Sequence, residues 1–211
     1  MKWEELLRIV ADEPVFCTGF LAAAGESMTQ VRLQLSRWVA AGRLIKLKKG
    51  IYTLAEPYRK ATPHPFLIAN AMKKASYVSL QSALSYYGMI PEYVPVTTSV
   101  TSGRPEQVET PVGRFVFRHI KKDWLRDYKQ VDLGSGQQAF VASAEKSLLD
   151  LAYLTPNADN YDFLSELRLQ NLQQLNISRM QELADKSNSR KLRRTARLIE
   201  KFVVQEIGQE L

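Results

Sequence analysis

Three stretches before Gly42 carry apolar residues at helical spacing. Leu6, Leu7, Ile9 and Val10 predict a helix over about residues 3–12, which Pro14 ends by barring Glu13 from the helical region. Thr18 is placed to cap a second short helix through Ala24, with Gly25 as its stop. A third helix over residues 29–41 lines up Val31, Leu35, Trp38 and Val39 on one stripe and closes at Gly42, so Trp38 is expected in the core, against the first helix. Residues 44–48 and 50–54, rich in Leu, Ile, Tyr and Thr, read as two short strands around a Lys-Gly turn. This order of elements predicts a winged helix-turn-helix.

Prolines then punctuate the chain at Pro57, Pro63 and Pro65, which sets the expected boundary between a DNA-binding domain over residues 1–60 and a second domain over residues 66–211. Residues 66–72 and 80–87 look helical, with Ser79 as a cap and Gly88 as a stop. Beyond Pro91 the period changes to two: Val94, Val96, Thr98 and Val100 alternate with Pro95, Thr97 and Ser99, and residues 114–118 and 138–141 are further strands. Ser143 caps a helix to Leu154, stopped by Pro156. From Asp159 on, three helices are expected with no strand among them, the last over about residues 189–207. The expected fold class is α+β, a winged helix followed by a mixed α+β domain with a helical tail.

Charge changes the picture from fold to partner. The chain has 211 residues and a net charge of +7, and residues 29–60 alone carry eight cations against Glu56, a net +7 in themselves. A solubilising surface intersperses both signs, so this clustering favours phosphate. The single Cys17 excludes internal disulfides and multi-cysteine metal sites, and no apolar run reaches the ~18 residues a membrane span needs. A soluble cytoplasmic protein without cofactor or metal is expected. Cys17 and His119 read as structural.

The third helix is the sharpest candidate site. With its apolar arc turned inward, Thr29, Gln30, Arg32, Ser36 and Arg37 remain outside, the residue types that read base edges and hold phosphates from a helix in the major groove. Leu33 joins them, placed to touch a thymine methyl or to pack under the wing. Lys46, Lys48 and Lys49 before Gly50 are expected to reach flanking phosphates, with edge protection of the hairpin as the plainer alternative. On the last helix Arg190, Arg194, Arg197 and Lys201 oppose an apolar stripe of Leu192, Ala196, Ile199, Val203 and Ile207, which makes them a candidate partner-binding face. Phosphate-loop, nucleophile-elbow and zinc-protease motifs are missing. Glu145, Lys146 and Asp150 share a helix, yet adjacent Glu145 and Lys146 point about 100° apart, so Glu145 is read as favouring the positive end of its helix rather than as part of a nuclease centre. No catalytic residue is expected.

Several short runs have a familiar order and spacing. Val31-Arg-Leu-Gln-Leu-Ser-Arg-Trp-Val-Ala-Ala-Gly42, the strand pair ending Lys49-Gly-Ile-Tyr52, Ser79-Leu-Gln-Ser-Ala-Leu84, Tyr87-Gly-Met-Ile-Pro-Glu92 and Ala144-Glu-Lys-Ser-Leu-Leu-Asp150 resemble the AbiEi-type antitoxins. The resemblance runs from the N-terminal helices to about Leu154. It implies a bifunctional protein: a winged helix that binds operator DNA and represses a toxin–antitoxin promoter, and a C-terminal domain that counteracts a nucleotidyltransferase-like toxin. It assigns DNA contact to the third helix and the Lys-rich turn, the residues already chosen from pattern and charge. Two rivals stand beside it. One is a winged-helix regulator whose second domain senses a small ligand in an apolar pocket, and the other is a nuclease targeted by the winged helix.

Overall fold

The computed structural model describes residues 1–10, 12–22 and 27–209. Its fold is mixed α+β, and among the described residues the strands make two sheets. The chain opens with α1 (Trp3–Val10), β1 (Phe16–Cys17), α2 (Thr18–Ala22), α3 (Met28–Ala40), β2 (Leu44–Lys48) and β3 (Ile51–Leu54). Glu4 and Glu5 in the first turn of α1 and Arg8 in its last complement the helix dipole. α3 ends as its pattern predicts, with Gly42 at a φ of +69°. β1 is an addition to the expected elements and completes a three-stranded sheet in the order β1-β3-β2. The proposed stop of α2 at Ala24 and Gly25 lies outside the described residues. Thr18 is the first residue of α2 rather than a cap, because both its N–H and its hydroxyl donate to the Gly50 carbonyl, at 2.8 and 3.1 Å.

Leu6, Val10, Leu21, Val31, Leu35 and Trp38 from the helices meet Leu44, Tyr52 and Leu54 from the sheet in one core. Trp38 meets Trp3 of α1 edge-on at 5.2 Å, as its place in the stripe requires. Burying the methyl-bearing side chains of this stripe contributes about 1.5–3 kcal/mol each, which is what holds α3 with its polar side outward.

A second, six-stranded sheet follows, built from β4 (Ser76–Val78), β5 (Val96–Thr101), β6 (Glu106–Thr110), β7 (Gly113–His119), β8 (Tyr128–Asp132) and β9 (Gln138–Ala142) in the order β6-β7-β5-β4-β9-β8. β5 runs parallel to β7 and β4 to β9; the other pairs are antiparallel. Consecutive residues of β4 enter different cores. Val78 joins Phe115, Phe117 and Val141 under α4 (Pro65–Met72), while Tyr77 joins Val100 and Ala142 under the later helices. Those helices are α5 (Leu80–Tyr86), α6 (Ala144–Leu154), α7 (Tyr161–Glu166), α8 (Ile177–Lys186) and α9 (Arg190–Gln209). Side-chain caps start α4, α6, α7 and α8 at His64, Ser143, Asn160 and Asn176.

The alternation read in β5 does not hold: Thr97, Ser99 and Thr101 are buried together with Val100, whereas Val96 and Thr98 are half-buried. Inside a sheet covered on both faces, polarity no longer marks the outward side; the Thr101 hydroxyl donates to the Ala75 carbonyl, whereas the buried Ser99 hydroxyl has no hydrogen-bond partner among the described residues. β4, β6 and β8 carry no such alternation of apolar residues and were not expected. Ser79 stands at the cap position of α5, but its hydroxyl donates to Asp150 rather than accepting from the helix.

The hairpin belongs to both cores. Its register shifts between Lys46 and Lys48, so Leu47 turns away from the helices and is buried among Phe66, Met72 and Phe117. No described helix is long and apolar enough to cross a membrane.

Candidate nucleic-acid interface

α3 presents Thr29, Gln30, Arg32, Ser36 and Arg37 exposed, with Leu33 about half exposed among them rather than packed under the hairpin. Arg32 and Ser36 lie on the side of α3 that faces the hairpin, and there a cavity of about 490 Å³ opens. Arg32, Ser36, Lys46, Lys49, Gly50 and Cys17 are among its lining residues, and no carboxylate is among the described ones. Cys17 is exposed and lies in β1, paired with Ile51. Tyr52 closes the base of the cavity; burial pushes its hydroxyl pKa up, and the Arg32 guanidinium partly opposes that shift.

Gly50 makes the hairpin turn possible and fixes it against α2. Its φ is +80°, and a Cβ there would stand 3.2 Å from the Thr18 hydroxyl oxygen. Any side chain would both strain the turn and push it from Thr18.

Structure divides the eight cations of residues 29–60 into three groups. Arg59 pairs with Glu56, Lys60 with Asp12 and Lys48 with Glu106. Arg43 lies over the Trp3 ring at 5.3 Å. Arg32, Arg37, Lys46 and Lys49 have no carboxylate partner among the described residues, and all four are exposed. Lys48 differs from the other two lysines of the hairpin. Its ammonium is 2.7 Å from Glu106 Oε2, on which Lys73 also converges at 3.2 Å, so it clamps the hairpin to the edge of the larger sheet. The two hydrogen-bonded lysines hold the Glu106 carboxyl below the usual carboxylate range, Lys48 first, against a smaller opposing effect of burial.

On α9, Leu192, Ala196, Ile199 and Val203 are buried and Arg190, Arg194, Arg197 and Lys201 exposed, as the pattern requires; the Ile207 side chain lies outside the described residues. Arg194 donates to Asp159 at 2.7 Å and so is not one of four unpaired cations. Arg197 and Lys201 line a groove together with Asp185 and Glu200, which mixes the signs there.

The structure also contains a polar cluster that sequence reasoning passed over. Asp150 accepts hydrogen bonds from Tyr77 at 3.0 Å, from Ser79 at 2.8 Å and from the Lys146 ammonium one helical turn back. The ammonium lies 3.7 Å from the centre of the Trp124 ring. Tyr77, Ser79, Lys146 and Asp150 are all fully buried. Burial pushes the Asp150 carboxyl up and the Lys146 ammonium down in pKa, and their attraction opposes both shifts. Glu145 diverges from Lys146 as expected, but it is buried and accepts from the Asn176 N–H at 2.9 Å, so it fixes the start of α8. The i, i+4 spacing of Lys146 and Asp150 was the signal available for this pair. His119 braces a loop, its Nδ1 2.9 Å from the Gly103 carbonyl oxygen. Among the described residues no three His, Cys, Asp or Glu side chains gather into a group able to hold a metal ion.

A scan of the chain against models of known protein families finds no match, and a search of curated proteins finds none either.

Proposed function

We propose that residues 1–60 form a winged helix-turn-helix that binds duplex DNA, with α3 in the major groove and the β2–β3 turn on a flanking phosphate. The observation that carries this reading is the cavity joining Arg32 and Ser36 of α3 to Lys46 and Lys49 of the hairpin, with no carboxylate among its described lining residues. Phosphate contacts supply affinity and base edges supply specificity, so Lys46 and Lys49 hold the duplex while Gln30, Arg32 and Arg37 read it, with Thr29 and Ser36 on either. Lys48 holds the wing instead.

We infer a regulatory role, the antitoxin of a bacterial toxin–antitoxin operon, from the resemblance of residues 31–150 to the AbiEi-type antitoxins. On that reading the protein is a cytoplasmic, non-enzymatic repressor of its own promoter, and residues 66–211 counteract a nucleotidyltransferase-like toxin. Arg190, Arg197 and Lys201 are the α9 cations best placed for an acidic partner, since Asp159 already engages Arg194.

Duplex binding is tested by salt titration of the full chain. Four phosphate contacts from Arg32, Arg37, Lys46 and Lys49 correspond to a log–log slope of about −3.6, at about 0.9 counterion released per contact. A slope near zero refutes the interface. Co-expression with a cognate toxin tests the antitoxin role: growth rescue by the full chain, lost on reversing Arg197 and Lys201 to Glu with operator binding intact, is the expected result.

A further inference from the structure

Away from the basic cavity, a second concavity of about 470 Å³ opens where α4 and α5 pass the first residues of β5 and β7. Its lining has a consistent chemistry. The rings of His64, Phe66 and Tyr86 form a continuous wall, with His64 4.8 Å and Tyr86 5.7 Å from Phe66, and Tyr93 stands at the rim, nearly fully exposed. Arg114 is the cation of the lining, and no carboxylate is among the lining residues. One edge of its guanidinium donates to Glu109 at 2.6 Å, which orients it and leaves its remaining N–H groups without a described partner.

The donor on the opposite side is set by the fold. His64 Nδ1 accepts from the Phe66 N–H at 3.1 Å, so the proton of the neutral ring sits on Nε2. Burial also lowers the His64 pKa, which favours that neutral form. The Gln137 side chain holds the backbone on which His64 sits, accepting from the His64 N–H at 2.7 Å and donating to the Thr62 carbonyl at 3.0 Å. The concavity thus offers aromatic faces, donors and one cation. The neighbouring carboxylate, Glu109, is already engaged by Arg114, so a positively charged ligand would meet the guanidinium first, and an aliphatic one would leave the rings without a stacking partner.

We propose that this concavity is a binding site for a flat aromatic carboxylate, stacked on the exposed Tyr86 ring, with the Phe66 ring inclined to it by 56° along the ligand's edge and the carboxylate on Arg114. The volume lies within the range of small-ligand pockets, about 300–1,000 Å³, and admits a two-ring ligand. The site is independent of the DNA reading, since its test measures ligand binding alone.

The test is calorimetric titration of the full chain with four probes: indole-3-carboxylate, its neutral carboxamide, cyclohexanecarboxylate and adenosine monophosphate. Indole-3-carboxylate should bind saturably, with the carboxamide and cyclohexanecarboxylate each weaker by about tenfold or more, the scale of one charge-assisted hydrogen bond. Arg114→Gln should remove the preference for the carboxylate over the carboxamide while leaving carboxamide binding in place. Tyr86→Ala, at an exposed position, should weaken both aromatic probes and leave the melting temperature near that of the parent. No saturable binding of indole-3-carboxylate, or an unchanged preference in Arg114→Gln, overturns the site. Tighter binding of adenosine monophosphate than of indole-3-carboxylate overturns the carboxylate assignment in favour of a nucleotide.

Discussion

Lysine and arginine do opposite work at the two ends of this molecule. In residues 29–60, Arg32, Arg37, Lys46 and Lys49 stand exposed, and Arg32, Lys46 and Lys49 line a cavity with no carboxylate among its described lining residues. On α6, Lys146 is fully buried against Asp150, Tyr77 and Trp124. An ammonium in water keeps its hydration until a phosphate displaces it, at little cost to the fold. An ammonium sealed in a core has lost that hydration, so its carboxylate and ring partners become conditions of folding. Charge on the surface is therefore evidence about partners, and charge in the core is evidence about architecture.

The largest expected effects break the second half of that contrast. Lys146→Ala or Asp150→Ala should each cost about 3–5 kcal/mol, because each leaves the other charge buried without its counter-ion. The double change Lys146→Met, Asp150→Leu should recover most of that loss. Chemical denaturation of the three variants decides the matter, and equal losses in the single and double variants would show that packing rather than pairing dominates. Trp38→Ala should cost about 3 kcal/mol by opening a cavity against Trp3 and Leu35. Its loss should melt α3 and abolish duplex binding together.

Smaller effects sharpen the exposed half. Arg37→Ala should cost about 1–3 kcal/mol against an operator and much less against scrambled duplex, if its guanidinium reads a base pair. Lys46→Ala and Lys49→Ala should weaken all sequences alike and each reduce the salt slope by about 0.9. Lys48→Ala should leave the slope unchanged. Competition binding at several salt concentrations separates these outcomes, and a slope reduced by Lys48→Ala would return that lysine to the phosphates.

The difference between the two regions also explains what could be read before the fold was known. α3 and α9 were legible because their apolar residues repeat at a period that one exposed face imposes, whereas the hairpin was read from its strand-forming residues around a Lys-Gly turn and α6, buried from Glu145 to Ala152, from its Ser143 cap and Pro156 stop. β5 misled because both of its faces are covered, so Thr97 and Ser99 lie inside as readily as Val100. The unpaired cations of the interface were visible as a local excess of charge. Which lysine was already engaged was not, since Glu106 lies 58 residues from Lys48 and meets it only when the hairpin docks on β6. Lys146 and Asp150 were one turn apart in plain view, but their burial depends on Tyr77, Ser79 and Trp124, which come from other parts of the chain.

The smallest expected effect lies where the two regions touch. Lys48, Lys73 and Glu106 tie the hairpin to the edge of the larger sheet, beside the apolar contact made by Leu47. All three side chains are partly exposed, so the tie should contribute only about 1 kcal/mol or less. Its pH dependence has a definite sign. The folded-state pKa of Glu106 is depressed, so its contribution is fully present above the ordinary glutamate value and is lost as pH falls through the lower folded value. Glu106→Gln should therefore melt below the parent at neutral pH, and the gap should close as the solution is acidified past the usual carboxylate range. Melting temperatures of the pair across that range test it. A gap that stays constant into acid would mean that residue 106 acts through uncharged contacts and not through its charge, whereas no gap at any pH would leave the hairpin held to the second sheet's core by Leu47 alone, much as Trp38 is held to the first.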